Sequence, residues 1–269
     1  MKIRNVLALA LLLPLMVACK AQDGSTDTVP PTETATEAAP AVQTPENAEQ
    51  AAGPAADTAP AATDTPAGAV APAPLEGPAP VEGEDYLSIA GGVPFAPADD
   101  KVEVVEIFSY TCPACFRFQA LVSSWKSRLP ADVNFIYMHA AFGGPGDEYA
   151  RAFYAAQTLG VLEKTHEPMY AAIHANNRLK GQRGGDSAEE IAAFYATQGQ
   201  DAGKFLATMK SFGVNAQLAR SKQFAQRSQI SGTPSLIVQG KYLVKGKTFE
   251  DMLRIAEHLI ARERAAQGR

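Results

Sequence analysis

The sequence predicts an α/β fold, a central mixed sheet flanked by helices, with a helical domain inserted into it. Three observations carry this expectation. An apolar, β-rich run at residues 102–109 leads into a helix-like run at 116–128 and then into a second β-rich run at 133–139. Some eighty residues of helical periodicity follow. Strand character then returns at 235–238 and 241–244, ahead of a closing helix at 248–265.

Each element has a local reason. A short strand is expected at 86–89, broken by Gly91-Gly92-Val93-Pro94. The run at 102–109 is mostly apolar on both faces, which marks a central strand. The next helix begins within Cys112-Pro113-Ala114-Cys115 and stops ahead of Pro130. Pro113 fits its first turn, where a missing N–H costs nothing. Residues 133–139 form the second strand, closed by Phe142-Gly143-Gly144-Pro145-Gly146. Strand, helix and strand in this compass read as a right-handed unit with parallel strands. Helices are expected at 148–159, 162–175, 187–198, 201–212 and 215–228, within an insertion spanning about residues 146–229. Ser187 caps one of them, with Glu190 three residues on. Gln239-Gly240 reads as a hairpin turn, and Thr248 or Glu250 as the start of the last helix.

The chain ahead of residue 85 is of another kind. Lys2 and Arg4 precede an apolar stretch at 6–17, too short to cross a bilayer core of about 30 Å and typical of a secretory signal occupying residues 1–18. Its end, Leu15-Met16-Val17-Ala18-Cys19, resembles a bacterial lipobox, with Met16 where leucine is more usual. In that reading Cys19 carries lipid; the alternative is plain secretion with a free Cys19. From residue 19 to 84 the sequence is dominated by Ala, Pro, Thr, Glu, Asp and Gly, and reads as a disordered tether that cannot bury enough apolar surface to fold. Residues 85–269 hold all 12 Phe, all 8 Tyr and the single Trp, enough for one domain with a sizeable core. The net charge of −5, with no basic stripe, argues against a nucleic-acid partner.

Only 3 cysteines are present, and Cys19 belongs to the targeting segment. Cys112 and Cys115 are therefore the sole dithiol of the folded part. Two thiols three positions apart at the start of a helix can close a disulfide on themselves, and the first faces unpaired N–H groups that favour its thiolate. A zinc half-site is the alternative, but His139, His166, His174 and His258 do not supply the spacing of a second ligand pair. A pair of inert buried cysteines is the other. Glu106 shares a strand face with Val104 and Phe108, so it should be largely desolvated beneath the dithiol, where a raised proton affinity suits it to exchange a proton with Cys115. A solvated edge-strand glutamate is the competing reading for Glu106, and the expected one for Glu103 on the opposite face. His139 at a strand end reads as structural rather than as part of the site.

The run Glu106-Ile107-Phe108-Ser109-Tyr110-Thr111-Cys112-Pro113-Ala114-Cys115, the distant Ser231-Gly232-Thr233-Pro234 ahead of a strand, and the helical insertion between them resemble the DsbA family of thioredoxin-fold disulfide oxidoreductases. The resemblance covers residues 85–265. It implies an exposed attacking thiol at Cys112, a buried resolving thiol at Cys115, and a proton shuttle at Glu106. It also implies a cis peptide before Pro234 that sets the Thr233 backbone beside Cys112 to pair with an extended substrate; a trans turn proline is the alternative. Pro113 and Ala114 complete the motif. Ala114 departs from the histidine found in many members, which predicts a milder oxidant, and Thr233 stands where valine is common.

The leading expectation is a periplasmic oxidoreductase held to a bacterial membrane by lipid on Cys19, with the outer membrane favoured because Lys20 follows it. It would donate a disulfide to reduced, unfolded secreted proteins as a monomer, without metal or further cofactor. A DsbB-like quinone-linked membrane protein would reoxidise it. The alternatives are a reductase or isomerase with the same dithiol, and a non-enzymatic binding or chaperone lipoprotein.

Overall fold

The computed structural model describes residues 75–96 and 100–269. The signal segment, Cys19 and most of the expected tether lie outside them. Five strands form one mixed sheet: β1 (Tyr86–Ser88), β2 (Val102–Phe108), β3 (Val133–His139), β4 (Ser235–Val238) and β5 (Tyr242–Val244), ordered β1-β5-β4-β2-β3. Only β2 and β3 run parallel, joined through α1 (Pro113–Lys126). The β4–β5 hairpin turns at Gln239 and Gly240, both with positive φ, as a tight two-residue turn requires.

The remaining helices are α2 (Gly146–Thr158), α3 (Leu162–His174), α4 (Ala188–Thr197), α5 (Ala202–Met209), α6 (Phe212–Arg227) and α7 (Phe249–Ala266). Their starts follow capping chemistry. Ser187 and Glu190 form the full capping box at α4, and Asp201, Ser211 and Thr248 cap α5, α6 and α7. One boundary moves from the sequence reading: Phe212 opens α6 instead of closing α5, because the Ser211 hydroxyl accepts the Val214 N–H.

The sheet is covered on both sides. Phe118, Val122 and Trp125 of α1 and Ile255, Ala256 and Leu259 of α7 pack on Val102, Val104, Leu236 and Val238. Val105, Ile107 and Ile237 face the other way, against Phe224 and Ala225 of α6. A third cluster, from α2 to α5, closes over Phe108, Tyr110 and Cys115 at the end of β2. That end is where the reactive residues sit.

Two expectations are corrected here. Glu103 is buried rather than solvated, only 4% exposed, because the chain at Phe95 and Ala96 folds back and donates both N–H groups to its carboxylate at 2.6 Å. Within residues 75–84, read as the end of the tether, Glu76 and Pro78 are held against α7: Arg254 donates to the Pro78 carbonyl, and His258 Nε2 is 3.0 Å from the Glu76 carbonyl. Among the described residues no helix is long and apolar enough to cross a membrane.

Candidate active site

Cys112 is the N-cap of α1, in extended backbone geometry, with Pro113 as first helical residue and the Cys115 N–H 3.5 Å from its sulfur. One helical turn on, Cys115 is fully buried while Cys112 remains half-buried. Both are free thiols. From the far end of the chain, the Thr233–Pro234 peptide is cis, and the Thr233 carbonyl oxygen lies 3.3 Å from Cys112 Sγ.

The two thiols are strongly unlike. The Cys115 S–H bonds to the Cys112 sulfur and, with the Thr233 hydroxyl and the N–H groups of Cys115 and Ala114, favours the thiolate of Cys112 against the cost of its partial burial. Its pKa falls from the ordinary 9.0 to about 5. In the thiol form the Cys112 S–H donates to the Thr233 carbonyl, which pulls the other way, but four donors to the sulfur outweigh one acceptor. Burial, reinforced by the neighbouring Cys112, drives the Cys115 thiol far upward. A dithiol arranged this way has one sulfur that leaves readily as an anion and one that requires a proton.

Glu106 is fully buried, as its place in the central strand predicts, and neither of its carboxyl oxygens has a hydrogen-bond partner in the protein. Burial pushes its pKa up to about 8, against the opposing pull of the Lys126 charge. The group is therefore a neutral acid at pH 7.

The approach to the dithiol is held by contacts around Tyr110 that the sequence did not disclose. The Tyr110 N–H donates to His139 Nε2 at 3.0 Å, its hydroxyl lies 2.9 Å from His166 Nδ1, and its carbonyl is 2.7 Å from His174 Nε2. His139 is structural, as expected: burial lowers its pKa to about 4, and it spends its other nitrogen on the Ala140 carbonyl at 2.7 Å. A groove of about 320 Å³ opens beside Cys112, bounded by Thr233, Phe142, Gly143, Asp147, Gly181 and Gln182 among others. Its Gly181 wall is fixed by Asp186, which accepts the N–H groups of Lys180 and Gly181 and the hydroxyl of Tyr149.

A strand–CxxC–helix unit facing a cis-proline loop, with a depressed first thiol and a buried second one, defines a dithiol oxidoreductase of the thioredoxin fold. The comparisons agree. The family model described as thioredoxin matches residues 97–258. The thiol:disulfide interchange protein DsbA of Pseudomonas syringae is 38% identical over 186 residues, 68% of this chain and 84% of that one. Among solved structures, DsbA from Xylella fastidiosa superposes with a TM-score of 0.67 at 43% identity, over 69% of this chain and 98% of that one. Pseudomonas aeruginosa DsbA gives 0.64 at 34%, over 70% and 97%. The chain belongs to the DsbA family of thiol:disulfide interchange oxidoreductases.

Proposed function

We propose that this chain works in the periplasm as a disulfide donor to reduced secreted proteins, with Cys112 as the sulfur that substrates attack. The observation that carries this direction is the asymmetry of the two thiols, since a stabilised Cys112 thiolate belongs to the reduced enzyme and makes the oxidised form the reactive one. A substrate thiolate attacks Cys112 Sγ, the Cys112–Cys115 bond breaks, and Cys115 leaves with the electron pair and takes a proton from Glu106. A second substrate thiolate then attacks the substrate sulfur of the mixed disulfide and releases Cys112 as thiolate. The substrate gains a disulfide and the enzyme is left reduced by two electrons. Thr233 and Pro234 line the place where an extended substrate pairs, and Pro113 and Ala114 fix the start of the helix between the thiols. A DsbB-like quinone-linked membrane protein restores the disulfide.

Anchoring belongs to the same proposal: lipid on Cys19, after removal of residues 1–18, holds a monomeric domain to a membrane, the outer one favoured by Lys20. The support is the lipobox-like sequence. Fractionation of cells carrying Cys19→Ala tests it, and membrane retention of that variant would remove the anchor from the reading. The donor function is tested by equilibrating the dithiol against glutathione buffers and by refolding a reduced, unfolded protein with the oxidised enzyme. A potential as low as the cytosolic reductants, about −270 mV, with no gain in refolding, would assign the dithiol to reduction.

A further inference from the structure

A buried acid that gives up a proton in each cycle must recover one from water. In the β2–β3 register Glu106 sits directly opposite Tyr137, on the face that α1 covers. Behind Tyr137 a continuous set of hydrogen bonds runs outward. Gln119 Nε2 donates to the Tyr137 hydroxyl at 3.2 Å and to Ser123 Oγ at 3.0 Å, and Ser123 Oγ donates to Glu167 at 3.0 Å. His166 Nε2 lies 3.2 Å from Gln119 Oε1, which fixes the amide. A small cavity of about 60 Å³ opens at the surface there, lined by Gln119, Ser123, Lys126, Tyr137, His166 and Glu167 together with Leu162 and Glu163. A water needs only about 10–15 Å³ and two to four polar partners, so this opening is roomy and polar enough to be wet.

None of the residues lining this opening lines the groove beside Cys112. The groove is the surface a docked substrate covers, so a proton path through it would be blocked when the proton is needed.

We propose that Glu106 exchanges its proton with solvent through the Tyr137 hydroxyl, held in place by Gln119, into the opening between α1 and α3, and not through the Cys112 groove. The inference rests on the reading of Glu106 as proton donor to Cys115. After Cys115 takes the Glu106 proton, the Tyr137 hydroxyl, with one water between it and the carboxylate, passes a proton inward and accepts one from water in the opening. Buffer neutralises the hydroxide left there. Tyr137 and Gln119 are positioning residues of this path. Lys126, Glu163 and Glu167 at its mouth, Tyr170 and His166 from α3 and Cys115 from α1 are the other titratable groups facing it.

Infrared spectroscopy tests this directly, because a protonated buried carboxyl absorbs apart from ionised ones and shifts when its proton is exchanged for deuterium. In the wild type, transfer to D2O should shift the Glu106 band at one rate in the free enzyme. The rate should be the same in a Cys115→Ser variant holding a peptide on Cys112 as a mixed disulfide. Tyr137→Phe, which keeps the ring, and Gln119→Leu should each slow the shift by about ten-fold or more, with the Cys112 alkylation midpoint unchanged. Blocked exchange in the peptide-loaded protein, or wild-type exchange in Tyr137→Phe, would overturn the path. The proton-donor role fails separately, if Glu106→Gln turns over as fast as wild type while the exchange results hold.

Discussion

Replacing Glu106 by glutamine is expected to stabilise the folded domain, and to do so increasingly as the pH is raised. In the unfolded chain the carboxyl ionises with a pKa of 4.5, and in the folded protein with one of about 8. The folded value is the higher, so the unfolded state sheds its proton first and gains relative stability as pH rises from 4.5 to 8. At 1.36 kcal/mol per unit, the wild type carries a penalty of roughly 3 kcal/mol at pH 7, approaching roughly 5 kcal/mol at pH 9. Below pH 4.5 the penalty vanishes. Because the group is fully buried, solvent screening does not reduce these figures. Glutamine carries none of this dependence, and any packing change it brings is the same at every pH. Denaturant midpoints of the reduced wild type and Glu106→Gln, measured from pH 4 to 9, should therefore diverge as pH rises. Parallel curves would refute the reasoning, since they would mean that Glu106 ionises in the fold as it does in water.

The remaining predictions concern the thiols and the histidines. Alkylation of Cys112 should follow a midpoint near pH 5, far below the ordinary 9.0, and Thr233→Val, which deletes a donor hydroxyl, should move that midpoint upward and lower the reduction potential. Ala114→His adds a donor at the helix N-terminus and should raise the potential by about 30 mV for each pKa unit by which the Cys112 thiolate is further stabilised; a potential equal to or below that of the wild type would show that residue 114 does not set the poise. Burial holds His166 neutral, with its pKa lowered from 6.5 to about 3, so stability should be lost as pH falls from 6.5 toward 3. His166→Gln should flatten that acid limb by about 1.4 kcal/mol per pH unit, and an unchanged slope in acid denaturation would show the imidazole to be protonated in the fold.

What the sequence disclosed and what it hid divide along physical lines. Strands, helices and caps follow from short-range periodicity, so β2, α1 and β3 stand close to where the pattern put them, and the Ser187–Glu190 box forms as read. The dithiol was legible because Cys112, Pro113 and Cys115 fall at one strand-to-helix junction. Phe212 misled because it continues the apolar spacing of α5, although it is 88% exposed and Ser211 restarts the helix ahead of it. Glu103 misled for a different reason: an acid alternating with apolar residues reads as solvent-facing, and only the return of Phe95 and Ala96 supplies the N–H groups that let it be buried. The partners of Tyr110 carry no local signal at all, since they arrive from separate elements and meet only in the folded chain.

That last arrangement ties the ripening of the site to the order in which the chain emerges during synthesis. Both cysteines appear early, but the imidazoles that grip Tyr110 from α3 follow it by 56 and 64 residues, and Thr233, whose hydroxyl helps to hold the Cys112 thiolate, follows Cys112 by 121. A nascent chain that has not yet produced its final hairpin lacks the Thr233 donor to Cys112. The pair reaches its full inequality only when the last strands dock, so the completed site and the completed fold arrive together.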